Sequence, residues 1–546
     1  MKKLDALTSL RFFAAAMIVL GHSHPLFGSF GIANNFSLSQ GVSFFFTLSG
    51  FILAYNYESL PDWNSAKRFI VSRFARIWPL HIAALLLWIL LITPRVSMEF
   101  SAPGAMLKLL ANVTLLQSWT FTAPYVLSFN GVAWSISTEA FFYVVFVFVA
   151  LSPSKRLPIS LAFSAICTAA LILAATTIPL SSDDGAPGVS MFGALYTNPL
   201  ARLLEFLFGV YCAKLYKLKS PATNNISPWT WLLIELSALA AIGYALYVVA
   251  RPAVISQYTG AGLGYYIYKE GIWLLWGALI LVFASSQGPV ARLLSTRPLV
   301  FLGEISFALY LVHMIVFNLA SLNSPLFKEL GNLGMPIFWL ICITSAAALH
   351  LTVEDPCRRL IVNWWDKKPR ITIKKLYRVP QWLSLIILVA GAAVASNYQP
   401  STVVGVSRPQ NTIEGAGSVI PANRFANGIS LTDITSSVPK DGLITLKFYF
   451  TIHDDISLNR HLGIHLNDAG GNIITVVGDI VIDRSSSSHA KGFSWMNTIT
   501  VREADLKNAV SIGIANFQDV NKLNEIAEGP SDWGGKRLVI STASLR

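Results

Sequence analysis

The sequence has few charged residues for its length. Only 13% of its 546 residues are Asp, Glu, Lys or Arg, against roughly a quarter in ordinary soluble domains. Together with 53% hydrophobic residues and a mean hydropathy of +0.55, this excludes a soluble enzyme and a disordered chain. Lys and Arg outnumber Asp and Glu by 41 to 29, but they form no single soluble patch, so nucleic acid is not an expected partner. Most of the chain is expected to lie in lipid.

Cysteine is also scarce, and this excludes two further classes of protein. The four cysteines lie within or beside apolar segments, without a Cys-x-x-Cys pair and without a histidine at metal-ligand spacing: Cys167, Cys212, Cys342 and Cys357. Neither a disulfide framework nor a metal site is predicted, and we expect no permanently bound cofactor.

Long apolar runs are abundant instead. A bilayer-spanning helix needs about 20 mostly apolar residues. The basic start and apolar run at the N-terminus resemble a signal peptide, but no clear cleavage site follows, so this run is predicted to be a retained first span. Eleven transmembrane helices are predicted, near residues 9–27, 40–57, 77–93, 132–152, 158–179, 199–215, 229–250, 271–286, 299–320, 336–353 and 381–397.

Basic residues in the short loops predict the orientation of these spans. With the N-terminus in the cytoplasm, 21 Lys and Arg fall in inside segments and five in outside loops. Cytoplasmic loops of membrane proteins are rich in these residues. An odd number of spans then sends the chain after residue 398 outside.

The sequence divides into three regions. Residues 1–365 hold ten spans, and residues 366–400 form a basic cytoplasmic linker and the eleventh span. Residues 401–546 are richer in Gly, Ser, Asn and Asp, and their apolar residues alternate, as in LITLKFYFTI. This pattern predicts a small all-β domain, a sandwich or jelly-roll, outside the membrane.

Ionisable residues inside predicted spans are costly in lipid and are candidates for function. The first span carries Arg11 near its inner end and His22 in its outer half, roughly 16 Å apart along a helix axis. Glu139, in the fourth span, is expected at the depth of His22. A carboxylate stabilises a protonated imidazole, so His22 and Glu139 are predicted to act together as a general base. The alternative is a structural hydrogen bond between helices.

The other intramembrane histidines have simpler interpretations. His24, His81 and His350 are expected to be surface or boundary residues. His313, in the ninth span, lies at outer-half depth, where interfacial anchoring explains it as well as catalysis does.

Two charged pairs are spaced to share a helix face. Arg202 and Glu205 are three residues apart, which predicts an intrahelical ion pair, either structural or part of a reaction cavity. Arg73 and Arg76, at the inner start of the third span, either clamp phosphates or are ordinary cytoplasmic anchors. The candidate cavity-lining residues are Arg202, Glu205, Trp134, Ser137 and His313.

Seven stretches carry a further signal: LDALTSLRFFAAAMIVLGH, GVSFFFTLSGFIL, RFARIWPLH, WSISTEAFFYVVF, RLLEFLFG, ISFALYLVHM and HLTVEDP. In this order, and over roughly residues 1–365, they resemble the acyltransferase-3 family of polytopic membrane acyltransferases.

The resemblance implies an enzyme that moves an acyl group, usually acetyl from cytosolic acetyl-CoA, onto sugar hydroxyls of lipopolysaccharide, exopolysaccharide or glycolipid. It implies a catalytic role for His22 and donor binding by Arg11, Arg73 and Arg76. It also implies a bacterial inner membrane, with the N-terminus cytoplasmic and the C-terminal domain periplasmic. The expected partners are the bilayer, acetyl-CoA and an envelope glycan.

The sequence departs from the family's pattern in two places. Relatives often have a second Glu or a Gln where this chain has Ala140, so a role that needs two carboxylates is not expected. Residues 401–546 lack the nucleophilic serine and are too rich in strands for the SGNH-hydrolase domain of some relatives. We predict a different module that binds or positions polysaccharide. Its aromatic residues Trp495, Trp533 and Tyr449 either stack on sugars or pack in a core.

A transporter of a small anionic or sugar substrate is the rival class. Intramembrane His, Glu and Arg also form proton relays and substrate sites. A transporter is expected to show internal repeats with paired broken spans, and the sequence shows no such symmetry. Acyl transfer is therefore preferred over transport.

Overall fold

A computed structural model of the chain describes residues 3–27, 31–93, 104–178, 180–182, 184, 188–218, 226–322, 327, 330–366 and the strands between residues 423 and 541. The chain divides into two compact units, Met1–Asn397 and Tyr398–Arg546. The described part of the first unit is helical, and that of the second is built from β-strands.

The helices of the first unit are numbered in chain order. They are α1 (Asp5–Phe27), α2 (Gly41–Asn56), α3 (Trp63–Leu91), α4 (Ala105–Val113), α5 (Ala123–Val126), α6 (Trp134–Ala150), α7 (Pro153–Thr177), α8 (Pro199–Leu218), α9 (Pro228–Val249), α10 (Pro252–Thr259), α11 (Ala261–Glu270), α12 (Trp273–Ser285), α13 (Pro289–Leu294), α14 (Arg297–Glu304), α15 (Ser306–Leu322), α16 (Gly334–Leu349) and α17 (Asp355–Trp365).

Many of these helices have the length and composition of membrane spans. In the described part of the chain, eight helical segments are long and apolar enough to cross a membrane, or nine if α14 and α15, bent by 61° relative to each other, form one span. The first ten predicted spans each overlap a helix, although α8, with four charged residues, is not among the eight. The protein is thus a largely helical membrane protein. The predicted eleventh span, 381–397, lies outside the described residues.

Helices α2 and α8 approach each other closely because a glycine of each meets the backbone of the other. A Cβ atom on Gly50 would overlap the carbonyl oxygen of Phe206, and one on Gly209 would overlap that of Thr47. Small residues allow membrane helices to pack at such short distances. This contact fixes α2, which carries Ser43, against α8.

The chain is already buried before α6 begins. Residues 104–133 contain α4, α5 and two short 3-10 turns. Gln117 donates a hydrogen bond to the carbonyl of Ala133 (3.0 Å), and Ser118 donates to that of Trp134 (2.7 Å); both polar side chains are fully buried. Helix α6 therefore begins inside the helical unit.

Helix α3 is capped at its start and tied to α17. The carboxylate of Asp62 accepts a hydrogen bond from the backbone N–H of Ser65 (2.8 Å), which lowers the pKa of Asp62 from its ordinary value. Arg68 then donates two hydrogen bonds to Asp366, at 2.9 and 2.8 Å. A π-helical turn, His350–Glu354, joins α16 to α17, and such turns are frequent at functional sites.

The strands of the second unit pair antiparallel in two sheets. They are β1 (Asn423–Phe425), β2 (Ile429–Ser436), β3 (Leu443–Ile452), β4 (Arg460–Asn467), β5 (Ile473–Ile482), β6 (Ser494–Arg502), β7 (Ser511–Asp519), β8 (Lys522–Leu523), β9 (Ile526–Glu528), β10 (Ser531–Asp532) and β11 (Arg537–Ser541). One sheet has the order β6-β3-β2-β1-β9. The other has the order β10-β11-β7-β4-β5, with β8 paired to β7.

Alternate residues of β3 are buried, namely Leu446, Phe448 and Phe450, which is the period-2 pattern of a strand with one covered face. The arrangement of the sheets as a sandwich or jelly-roll stays a prediction, as do the three region bounds. Tyr449 is half-buried. The side chains of Trp495 and Trp533 lie outside the described part of the chain.

Candidate active site

A cavity of about 170 Å³ lies between α1, α2, α3, α6 and α15. Its wall combines apolar residues with three arginines, one carboxylate and several hydroxyls. The charged and polar lining residues are Arg11, Arg73, Arg76, Glu139, Tyr143, Ser49, Ser135 and Tyr310. The cavity thus has an excess of positive charge, as a site for an anion requires.

Arg73 and Arg76 share this cavity, as their spacing on α3 predicts, but their surroundings differ. Arg76 forms an ion pair with Glu354, a buried residue of the π-helical turn, which also accepts a hydrogen bond from His350 (2.8 Å). The guanidinium of Arg73 lies over the ring of Tyr57, at 5.9 Å from its centroid. Among the described residues, no carboxylate pairs with Arg73. Arg73 is therefore the more available of the two for a phosphate.

Arg11 and Glu139 lie in the same cavity, and their charges interact. One carboxylate oxygen of Glu139 accepts hydrogen bonds from Ser49 (3.0 Å) and from Tyr143 (2.8 Å). Glu139 is thus a fixed negative charge beside the arginines.

No hydrogen bond or ion pair joins His22 to Glu139 among the described residues, and each side chain has other partners. The depth predicted for Glu139 assumes that the apolar run of the fourth span starts at the membrane surface. In the structure, Glu139 lies in one cavity with Arg11. The roughly 16 Å along α1 between Arg11 and His22 then separates it from the histidine.

His22 pairs instead with His313 of α15. The distance from His22 Nδ1 to His313 Nε2 is 2.9 Å, and the two rings are almost parallel, 5° apart. His313 is completely buried, whereas His22 is exposed. His313 is therefore enclosed by protein, whereas His22 keeps accessible surface.

The hydrogen bonds of His313 determine the protonation of both rings. His313 Nδ1 lies 3.2 Å from the carbonyl oxygen of Leu309, which can only accept, so the proton of neutral His313 is on Nδ1. His313 Nε2 is then an acceptor, and His22 donates to it from Nδ1. This leaves the lone pair of His22 Nε2 free, which is the tautomer that a general base needs.

Tyr310 lies between the cavity and this histidine pair. It lines the cavity, and its ring lies 5.9 Å from that of His313, measured between centroids. The two residues are three apart on α15 and so share one face of the helix. Sequence analysis missed Tyr310, although its spacing from His313 was a signal available in the sequence.

The five predicted cavity-lining residues lie outside the lining of this cavity. Ser137 is buried and donates a hydrogen bond to the carbonyl of Leu115 (2.6 Å). Trp134 packs edge-on against Phe46, which does line the cavity. His313 belongs to the histidine pair. These three side chains therefore pack around the cavity but do not line it.

The remaining two, Arg202 and Glu205, belong to a fully buried charged cluster. Their predicted ion pair is present, with 3.2 Å between Arg202 Nη2 and Glu205 Oε2. Arg202 also pairs with Glu270 of α11 (3.1 Å), which sequence analysis missed, and Ser43 bonds to both Arg202 and Glu205. The cluster joins α2, α8 and α11, so its geometry supports a structural role.

Next to Glu270, Lys269 lies close enough to His22 for their charges to interact. Lys269 donates a hydrogen bond to Asp184 (2.8 Å), which also accepts one from Tyr265 (2.6 Å). The exposed face of His22 therefore lies near a polar cluster. His24, two residues further along the chain, lies 3.5 Å from the amide nitrogen of Asn34 and is exposed.

Comparison with known families identifies the helical unit. The sequence profile of a family described as an acyltransferase domain, the acyltransferase-3 family, matches residues 4–352, which include the cavity and the histidine pair. The chain belongs to this family. It is therefore a membrane acyltransferase, and the family predicted from the seven stretches is confirmed.

Curated relatives carry corresponding names. The chain is 27% identical over 391 residues to acyltransferase MdmB of Streptomyces mycarofaciens, a match that covers 66% of this chain and 92% of the relative. It is 24% identical to a putative peptidoglycan O-acetyltransferase of Bacillus subtilis and 22% identical to a putative O-acetyltransferase of Staphylococcus aureus. These two matches cover 70% and 71% of this chain, but only 59% and 62% of the relatives. No solved structure matches the chain.

Proposed function

We propose that this acyltransferase transfers acetyl from cytosolic acetyl-CoA to a sugar hydroxyl of a cell-envelope polysaccharide or glycolipid. The observation that carries the proposal is the position of Tyr310 and His313 on one face of α15. Tyr310 lines an arginine-rich cavity, and His313 holds the exposed His22 as a base. The O-acetyltransferase names of two relatives support an oxygen acceptor and an acetyl donor.

The arginine-lined cavity is the proposed donor site. A volume of about 170 Å³ is smaller than the roughly 300–1,000 Å³ of pockets that enclose a drug-sized ligand. The cavity therefore suits the acylated end of the donor, while the charged nucleotide end stays outside the hydrocarbon. We place the phosphates of the nucleotide end at the opening of the cavity, on Arg73, because Arg73 has no carboxylate partner among the described residues; Arg11 and Arg76 add positive charge.

The histidine pair is the proposed catalytic base. His22 Nε2 takes the proton of the acceptor hydroxyl as the hydroxyl oxygen attacks the thioester carbonyl carbon. The carbon–sulfur bond then breaks, CoA leaves as a thiolate, and His22 returns the proton to the sulfur. His313 holds His22 in the required tautomer and shares the charge of its protonated ring.

The proposal extends to the location of the protein. The excess of Lys and Arg in the predicted inside segments supports an N-terminus in the cytoplasm of a bacterium, with the inner membrane as the site. Eleven spans would then send residues 401–546 to the periplasm, where an all-β domain would bind or position the glycan. Since all the relatives described carry acyltransferase names, the transporter alternative is not favoured.

The test supplies acetyl-CoA labelled in the acetyl group, together with isolated envelope glycan, to the purified protein in lipid vesicles. Label is expected on the glycan, and His22→Ala is expected to reduce its rate of appearance at least about 100-fold, as for loss of a general base. His24→Ala is the matched control, because His24 is a neighbouring exposed histidine outside the pair. Equal activity of both variants, or uptake of label without acetylated glycan, would contradict the proposal.

A further inference from the structure

Tyr310 is the residue of the cavity wall that lies next to the histidine pair. It is buried, it lines the cavity, and its ring contacts that of His313. On its cavity side it packs edge-on against Phe45, with 6.3 Å between ring centroids. The Tyr310 ring therefore lies between the cavity, which Arg73 also lines, and His313, which does not line it.

Hydrogen bonds hold the Tyr310 hydroxyl at the start of α6. It donates to the carbonyl oxygen of Val132 (2.9 Å) and accepts from Ser135 (2.9 Å). The ring is thus held by one side chain and one carbonyl, and both bonds break if the tyrosine adopts another rotamer.

The distances show why this position matters for transfer. Ring centroids are 5.9 Å apart between Tyr310 and His313, and 5.2 Å apart between His313 and His22. Reacting atoms must approach to about 3–3.5 Å. A thioester that stays on the cavity side of Tyr310 is too far from a hydroxyl activated by His22.

We propose that Tyr310 is a movable partition between the donor cavity and the histidine pair. In the closed position seen in the structure, the ring separates the two spaces. When its bonds to Val132 and Ser135 break, the ring swings aside and the thioester reaches His22. The second statement rests on the proposed function, whereas the first concerns only access between two spaces.

A partition has a chemical purpose in an enzyme that spans a membrane. Water that reaches the thioester from the acceptor side hydrolyses it to acetate and free CoA, and exclusion of water prevents this loss. An open path would also connect the two compartments through the polar side chains of Glu139 and His22. Closure of the Tyr310 ring between turnovers prevents both the hydrolysis of the thioester and an open path between the compartments.

The first experiment measures access without relying on activity. In a chain whose four native cysteines are replaced by alanine, His313→Cys is treated with a membrane-impermeant thiol reagent. The reagent is added separately to vesicles of each orientation. With Tyr310 present, we expect only slow labelling from the Arg73 side. In the double variant His313→Cys, Tyr310→Ala, we expect labelling from that side to be at least about tenfold faster, as for removal of a gate.

Tyr266→Ala is the control for general loosening of the helices. Tyr266 is as buried as Tyr310, at 6% exposure each, but it lies on α11, outside the lining of the cavity. We expect this variant to leave the labelling of His313→Cys unchanged. Equal labelling in the parent and in Tyr310→Ala, or an equal increase in Tyr266→Ala, overturns the proposal.

The second experiment measures the coupling of donor use to transfer, by release of free CoA thiol and by acetyl on the acceptor. The parent protein is expected to release one thiol per acetyl transferred. Tyr310→Ala is expected to release thiol without acceptor at least about fivefold faster than the parent. Tyr310→Phe keeps the ring but loses both hydrogen bonds, and an intermediate rate is expected. If Tyr310→Ala only slows both quantities in proportion, the partition is refuted.

The two experiments can refute the proposed function and the partition independently of each other. If the parent protein uses no acetyl-CoA, the proposed function is wrong, but labelling of His313→Cys that depends on Tyr310 still supports a partition. If transfer occurs and labelling does not depend on Tyr310, the partition is wrong and the function stands.

Discussion

At the scale of single residues, the main feature is that His22, the proposed base, is held by a second histidine rather than by a carboxylate. A neutral imidazole orients His22 through one hydrogen bond and brings no negative charge into the membrane interior. A buried carboxylate without a cationic partner would be costly there. Glu139 is instead placed among arginines, where its charge is compensated.

The role of His313 predicts a difference between two substitutions. His313→Gln keeps an oxygen that accepts the hydrogen bond from His22 Nδ1, whereas His313→Phe keeps only the ring. We expect Phe to lower kcat about 10- to 100-fold, as for loss of a residue that orients a functional histidine, and Gln to recover part of this loss. KM for the donor should not change. Steady-state kinetics with both variants tests this, and equal rates would argue against orientation through the hydrogen bond.

Two ion pairs of α3 differ in burial, and this predicts different contributions to stability. Glu354 is fully buried beside Arg76, so Glu354→Ala leaves a poorly compensated charge and should lower the free energy of unfolding by about 3–5 kcal/mol. The Arg68–Asp366 pair is largely exposed on the arginine side, and Asp366→Ala should cost at most about 1 kcal/mol. Denaturant unfolding in detergent measures both. A smaller loss for Glu354→Ala than for Asp366→Ala would contradict the conclusion that the buried pair contributes more to stability than the exposed pair.

At the scale of helices, the sequence predicts the positions of the spans better than it predicts which helix faces contact each other. Apolar length and loop charge are local properties, so ten predicted segments overlap helices. The contact of His22 with His313 depends on the rotation and neighbours of α1 and α15, which no local pattern specifies. The hydrogen bond of Glu139 with Ser49 depends in the same way on how α6 packs against α2. The Arg202–Glu205 pair was predictable, since both residues lie on one helix.

The close contact of α2 with α8 predicts the effect of adding a single methyl group. Gly50→Ala or Gly209→Ala places a Cβ atom against a carbonyl oxygen of the other helix, so each should destabilise the protein by about 1–3 kcal/mol. Gly243→Ala on α9 is the control, because no atom lies within 4 Å of the position that its methyl group would take. There the better helix propensity of Ala should stabilise by up to about 1 kcal/mol. Melting temperatures in one detergent compare the three variants, and a common direction of change would be inconsistent with this contact.

At the scale of the whole molecule, the cavity and the histidine pair belong to one unit, Met1–Asn397. If acetyl-CoA is the donor, as proposed, a chain that ends at Asn397 is expected to bind it as tightly as the full chain, within about twofold, because the proposed donor site lies in the first unit. Transfer to a polymeric glycan should fall if residues 401–546 position the acceptor. Isothermal titration with acetyl-CoA and the glycan assay measure the two effects. Loss of donor binding in the shortened chain would show that the site needs the second unit.

Helix α15, which follows a bend of 61° after α14, has a further consequence. Tyr310 and His313 are three residues apart in one helix, so their separation along the axis is fixed at about 4.5 Å. Any tilt or shift of α15 carries both residues together and preserves this length. Under the proposed function, evolution can then reshape the surrounding helices to accept new alcohols while the spacing of the partition and the histidine pair stays constant.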